Sequence, residues 1–186
     1  MATLTDSHRE AFNKIAARLG FQPGETTINQ SHPALSRELF TFGADDTADI
    51  GGKVIPVSSI ADLKTLIGLP DHPEDSHVDY PQTLAKELAP NSDDLRNSIK
   101  TAAVAYLIGD PKKVADYEDL INHSLFPGKV LAFNADDLTV ADGQTVVLGT
   151  SGETEVYNFG TITVAPTGTI RVVGNTSVNC QVFTQQ

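Results

Sequence analysis

Residues 132–149, AFNADDLTVADGQTVVLG, and residues 156–173, VYNFGTITVAPTGTIRVV, are two copies of one unit. The copies lie 24 residues apart, with Asn134 matching Asn158, Thr139 matching Thr163, Val140 matching Val164, Ala141 matching Ala165 and Thr145 matching Thr169. Phe133/Tyr157, Leu138/Ile162, Val146/Ile170 and Leu148/Val172 are apolar replacements of like kind. A fixed period of this length marks one supersecondary unit stacked on itself. Phe159 and Phe183 share the spacing, which predicts a truncated third copy.

Two geometries satisfy this repeat. In a short parallel β-helix each unit is one coil, and matched residues stack, so Asn134 and Asn158 form a ladder. In a small antiparallel sandwich or barrel each unit is a hairpin, closed at Asp142-Gly143 and Thr167-Gly168. The Asp-Gly pair points to the hairpin, whereas the matched Asn and Thr point to the coil. Two or three coils are too few to stand alone. Their open ends need a cap or a partner strand.

Outward from the repeat, alternation of period 2 with abundant Val, Thr, Ile and Gly extends over residues 129–184. Strands are predicted at 129–134, 137–141, 144–148, 154–159, 160–165, 168–173 and 177–184. Before Pro127-Gly128 the period is that of helices. Ser7 with Glu10 reads as a capping box and Gly20 as a stop, so the first helix carries Phe12, Ile15, Ala16 and Leu19 on one face. Further helices are predicted at about 33–40, at 59–68 capped by Ser59 and Asp62, at 81–88, from Ser92 to Gly109, and from Asp110-Pro111 to about 122. Lys53–Val57 reads as a short strand. The expected fold class is α+β, with a helical domain over 1–126 serving as cap or adaptor and a β module over 127–186.

Composition narrows the function. The net charge is −11, with 11 basic and 19 acidic residues in 1–126 and 2 and 5 in 127–186. No basic stripe exists, which argues against nucleic acid. Trp is absent and aromatics are sparse, which disfavours stacking platforms for sugars or bases. The single cysteine, Cys180, forms no disulfide within the chain and sits in a setting that does not activate a thiol. No run reaches membrane-spanning length. The first residues lack an apolar signal core, so a cytoplasmic address is the default expectation.

Residues 71–79, DHPEDSHVD, are the densest polar cluster. His72, His77, Asp75 and Asp79 are the candidate ligands for zinc or another divalent ion, since imidazole and carboxylate suit such metals. Their loop setting leaves the geometry open, and a solvated acidic loop is the favoured explanation, because charge runs are usually exposed. Residues 45–52 lack the register of a calcium loop. Gly149-Thr150-Ser151-Gly152 is followed by Glu153 and so is not a nucleophile elbow. Nothing identifies a small-molecule ligand or a resident cofactor.

Three functions follow, of unequal weight. The first is a non-enzymatic interaction or assembly module, its β repeat presenting a face or end to a protein partner or to itself. The second is a surface- or carbohydrate-binding, toxin-associated β module. The third is a metal-assisted hydrolase built on the His72/His77 loop.

Overall fold

The computed structural model describes residues 4–28, 35, 38–42, 52–72, 77–83, 87, 89, 92–150, 152 and 154–186. The chain is α+β and divides into two compact units, residues 1–55 with 129–186, and residues 56–128.

The first unit is built on strands β1 (Leu39–Thr41), β2 (Lys53–Val57), β3 (Gly128–Val140), β4 (Thr145–Leu148), β5 (Thr154–Val164), β6 (Thr169–Val172) and β7 (Asn175–Gln185). They form two sheets, ordered β1-β4-β6 and β2-β3-β5-β7. Asn134 pairs with Asn158, Leu138 with Ile162 and Val140 with Val164, all in parallel register. Thr145 pairs with Thr169 in the same sense. Matched residues of the two copies therefore lie side by side on neighbouring strands. The Asp142-Gly143 and Thr167-Gly168 turns carry the chain from one sheet to the other, so they do not close hairpins. Gly143 takes φ 72°, which only glycine adopts freely. The turns are also tied to each other: Thr167 Oγ1 lies 3.0 Å from Asp142 Oδ1, and Gly143 N donates to Thr167 Oγ1 at 2.8 Å.

Several sequence expectations change. The strands expected at 129–134 and 137–141 are one strand ending at Val140, and those at 154–159 and 160–165 are one ending at Val164. Leu39 and Phe40 are in a strand, and most of the short helix expected at 33–40 lies outside the described residues. The N-terminal 126 residues are not a purely helical block, because β1 and β2 join the sheets and residues 1–55 cluster with them. Residues 56–128 are an insertion in the chain between the neighbouring strands β2 and β3.

The core of the first unit lies between the sheets. Phe133 and Tyr157 stack at 4.7 Å with rings 7° from parallel, and Phe42 meets both edge-on. Such ring pairs add about 0.5–1.5 kcal/mol beyond area burial. Phe40, Leu138, Val140, Val146, Leu148, Ile162 and Val164 complete the core. Helix α1 (Asp6–Arg18) packs on β5 and β7, which is why β5 is buried on both faces. Its cap is Thr5 rather than Ser7: Thr5 Oγ1 accepts from His8 N, and His8 Nδ1 accepts from Thr5 N.

The second unit holds α2 (Ile60–Ile67), α3 (Asp93–Ile108), a 3-10 segment (Pro111–Tyr117) and α4 (Glu118–Leu125). The caps are those expected, with Ser59 accepting from Asp62 N, Ser92 from Leu95 N and Asp110 from Lys112 N. The expected 110–122 helix is split at Val114, whose φ −127° and ψ 20° are not helical. Residues 81–83 are not helical either, and Glu87 is in a 3-10 turn, while most of the rest of the 81–88 segment lies outside the described residues. Ile60, Ile99, Ala102, Tyr106, Tyr117 and Ile121 form its core. Lys64 Nζ donates to the carbonyls of Tyr106 and Leu107 at 2.8 and 3.0 Å, at the negative end of α3. Among the described residues no helix is long and apolar enough to cross a membrane.

Candidate docking end of the strand stack

The two ends of the stack are finished differently. At the first end, Thr27 N donates to Asn134 O at 2.8 Å, and Asn134 Nδ2 donates to Glu25 O at 2.7 Å. The backbone of residues 25–27 thus takes up polar groups of β3. Lys53 donates to Gly20 O, lies 3.6 Å from Glu25 Oε1 and sits 5.0 Å from the Phe21 ring centre. These contacts hold the 20–27 segment against β2.

Among the described residues no segment takes up polar groups of the last layer, β6 and β7, in this way, although α1 packs on β7. Interior columns run through the registers Phe133–Tyr157–Val178, Ala135–Phe159–Cys180 and Leu138–Ile162–Phe183. The first two members of each column are buried. The third is not: Phe183 is 61% exposed, and Val178 and Cys180 are only partly buried. Leu148 is fully buried, yet its partner Val172 is 54% exposed. A core built by stacking ends with one apolar rung uncovered. β7 is also the last strand of its sheet, so one side of an 11-residue ladder is unpaired among the described strands.

The third layer does not follow the 24-residue spacing. Phe159 pairs with Cys180 and Ile162 with Phe183, an offset of 21. Residues 149–153 link β4 to β5, whereas only Val173 and Gly174 link β6 to β7. The shorter corner removes the difference. Gly174, at φ 68°, makes that corner possible. The apparent match of Phe159 with Phe183 was therefore coincidental, although a third layer does exist.

Beneath the open rung lies a polar group that the sequence reading missed. Glu155 is fully buried, and its carboxylate accepts from Tyr157 Oη and, at 2.7 Å, from Thr150 Oγ1. Gly149 N donates to Tyr157 Oη at 3.1 Å. Burial, then the bond to and charge of Glu155, push the Tyr157 phenol well above its ordinary value. It stays protonated and keeps donating. The arrangement pins the 149–150 corner. One sequence signal was available: Glu155 and Tyr157 are two apart in a strand and so share a face.

Of the metal candidates, His72, His77 and Asp79 are among the described residues. His72 and Asp79 are exposed, and His72 N donates to Gly109 O at 3.2 Å. Asp71 pairs instead with Lys64 at 2.9 Å. His77 is exposed, and Asp75 and residues 45–51 lie outside the described residues. Among the described residues no three His, Cys, Asp or Glu side chains form a metal-holding group. Burial pushes the Cys180 thiol up, and its Sγ donates to Val182 O, so it is not an activated nucleophile. A cleft of about 330 Å³ opens between α1, residues 21–26 and β3, with Arg9 and Asp136 at its rim.

The chain matches no protein-family model, no curated protein and no solved structure.

Proposed function

We propose that this protein is a non-enzymatic assembly module, a short parallel β-helix whose last coil takes on a further β layer. The observation that carries this reading is the coincidence of two unmet needs at one place. An interior rung ends in exposed Phe183 and Val172, and among the described strands the β7 ladder has a free side. Apolar side chains and backbone groups there both gain from the same addition, a strand laid along β7. Natural edge strands are usually blunted by charge, proline or brevity. β7 has none of these, because residues 172–186 contain no charged residue and no proline.

A direct test asks whether the end accepts a layer, whoever supplies it. Gln185 pairs with Val164, so a second copy of residues 165–185 placed after Gln185 would continue the stack in register. The extended chain is expected to unfold at a higher temperature, with Phe183 and Val172 shielded from solvent in hydrogen-exchange and labelling measurements. An extension that stays protease-sensitive and leaves the unfolding midpoint unchanged would overturn the reading.

A further inference from the structure

We infer that the layer covering the open end is supplied by a second copy of this chain, the two stacks meeting end to end about a two-fold axis with β7 of one copy antiparallel to β7 of the other. This rests on the docking reading above and adds the identity of the occupant and the symmetry of the contact.

Charge selects the face. Each copy carries −11, so two copies repel over most of their surfaces. From Val156 to the C-terminus the sole charged residue is Arg171. The open end is therefore a face on which two copies approach without setting carboxylate against carboxylate. Like charges directly opposite in a ladder are destabilising, and β7 carries none to oppose. The side chains that β7 brings are Asn, Thr, Ser and Gln with Val, Cys and Phe, a set that hydrogen-bonds and packs against itself.

The difference between the two ends selects the symmetry. Head-to-tail stacking would need the first end to receive a strand. Its edge strands are three and five residues long, and β2 contains Lys53 and Pro56. Proline lacks a ladder donor, and short charged edges resist pairing. Leu39 and Val54 are exposed there, but Asn134 is already satisfied by residues 25–27. The last end has a strand of 11 residues with no proline, about 36 Å of ladder at about 3.3 Å per residue. An end that pairs only with its own kind forms a closed, isologous contact and no fibre. A two-fold axis along the normal of the β7 sheet reverses strand direction, so the junction is antiparallel although the sheets within each copy pair in parallel.

The test is solution mass by light scattering across a concentration series, for the wild type and for a V172K/F183K variant. Both substituted side chains are more than half exposed, so circular dichroism and the unfolding midpoint should show an intact fold. Phe183→Lys alone replaces the double variant if the latter does not fold. The expected result is a wild-type mass that plateaus at twice 19.8 kDa, and a variant that stays at 19.8 kDa. Mass that climbs without a plateau would overturn the two-fold contact in favour of head-to-tail growth. A dimer that survives the substitutions uses another face and overturns the inference. A wild type of 19.8 kDa at every concentration overturns the second copy as occupant. The extended chain described above then decides separately whether the end accepts a layer at all.

Discussion

Asn158 donates its side-chain amide to Asn134 Oδ1 across 2.8 Å, joining two neighbouring strands of the stack at matched positions of the repeat. Both residues are buried, and Asn158 also donates to Phe12 O of α1 at 3.2 Å. Asn134 passes the chain of bonds on to Glu25 O. The ladder thus ties helix, strands and N-terminal segment together. Replacing Asn134 by Ala removes a partner from Asn158 and from Glu25 O. Denaturant unfolding should show a loss of about 1–3 kcal/mol, the usual cost of stranding buried polar groups. A double-mutant cycle with Asn158→Ala should give a coupling of about 0.5–1.5 kcal/mol. Strict additivity would mean that the two amides do not interact.

Two glycines with positive φ should respond differently to alanine. At Gly143, φ 72°, an added methyl meets nothing within 4 Å. The cost is backbone strain alone, about 1–2 kcal/mol. At Gly149, φ 97°, the same methyl would lie 2.1 Å from Thr176 Oγ1 and 2.2 Å from Val173 O. The carbonyl belongs to the two-residue corner before β7 and cannot give way without moving that strand. Gly149→Ala should therefore lose more than about 4 kcal/mol or fail to fold. Equal losses at the two positions would show that the corner is looser than described.

What the sequence displayed and what it hid follow from the same physics. Stacking puts like residues side by side, so the Asn134/Asn158 and Val140/Val164 matches were readable as a period. The parallel sense was not readable, because Asp142-Gly143 serves a corner between sheets as well as it serves a hairpin. β1 was obscured for another reason, since it is only three residues long, and β2 was legible as a strand at Lys53–Val57 but its place in the sheet was not, because residues 58–127 separate it from its neighbour β3. Pairings that span such distances leave no local pattern. The open end was half visible. The lack of charge after Arg171 can be read directly, but the exposure of Phe183 depends on the 21-residue offset, which the match with Phe159 concealed. Glu155 drew no attention in the sequence, since its burial is set by Thr150 and Tyr157 around it.

Asp62 offers a local pH probe of the helical unit. Hydrogen bonds from Ser58 and Ser59 hold its carboxyl below the ordinary value of 3.8. The folded state thus favours the carboxylate more than the unfolded chain does. Its contribution is present above the unfolded value and is lost as pH falls through the folded one. An NMR titration of Asp62 should find its midpoint below 3.8, and Ser58→Ala should move it upward. An Asp62 midpoint unmoved by Ser58→Ala would sink the assignment of the bond at the start of α2.

Tyr157 predicts the opposite end of the pH range. Burial and the neighbouring Glu155 carboxylate raise the phenol above its ordinary value of 10.0. In the unfolded chain the phenol releases its proton near that value, while the folded chain keeps it. Stability from this group is therefore complete below about pH 10 and declines as pH rises from there toward the folded value. The decline is at most about 1.4 kcal/mol per pH unit for this one proton. Tyr106 and Tyr117 are raised too, so wild-type alkaline unfolding is a composite. Tyr157→Phe isolates the term. The variant is destabilised at neutral pH, because Glu155 loses a donor and keeps Thr150. Between about pH 10 and pH 11, however, its unfolding free energy should fall less steeply than that of the wild type. Parallel slopes in that window would mean that Tyr157 is ionised in the folded protein as readily as in the unfolded chain, and that the Glu155 carboxylate does not hold its proton in place.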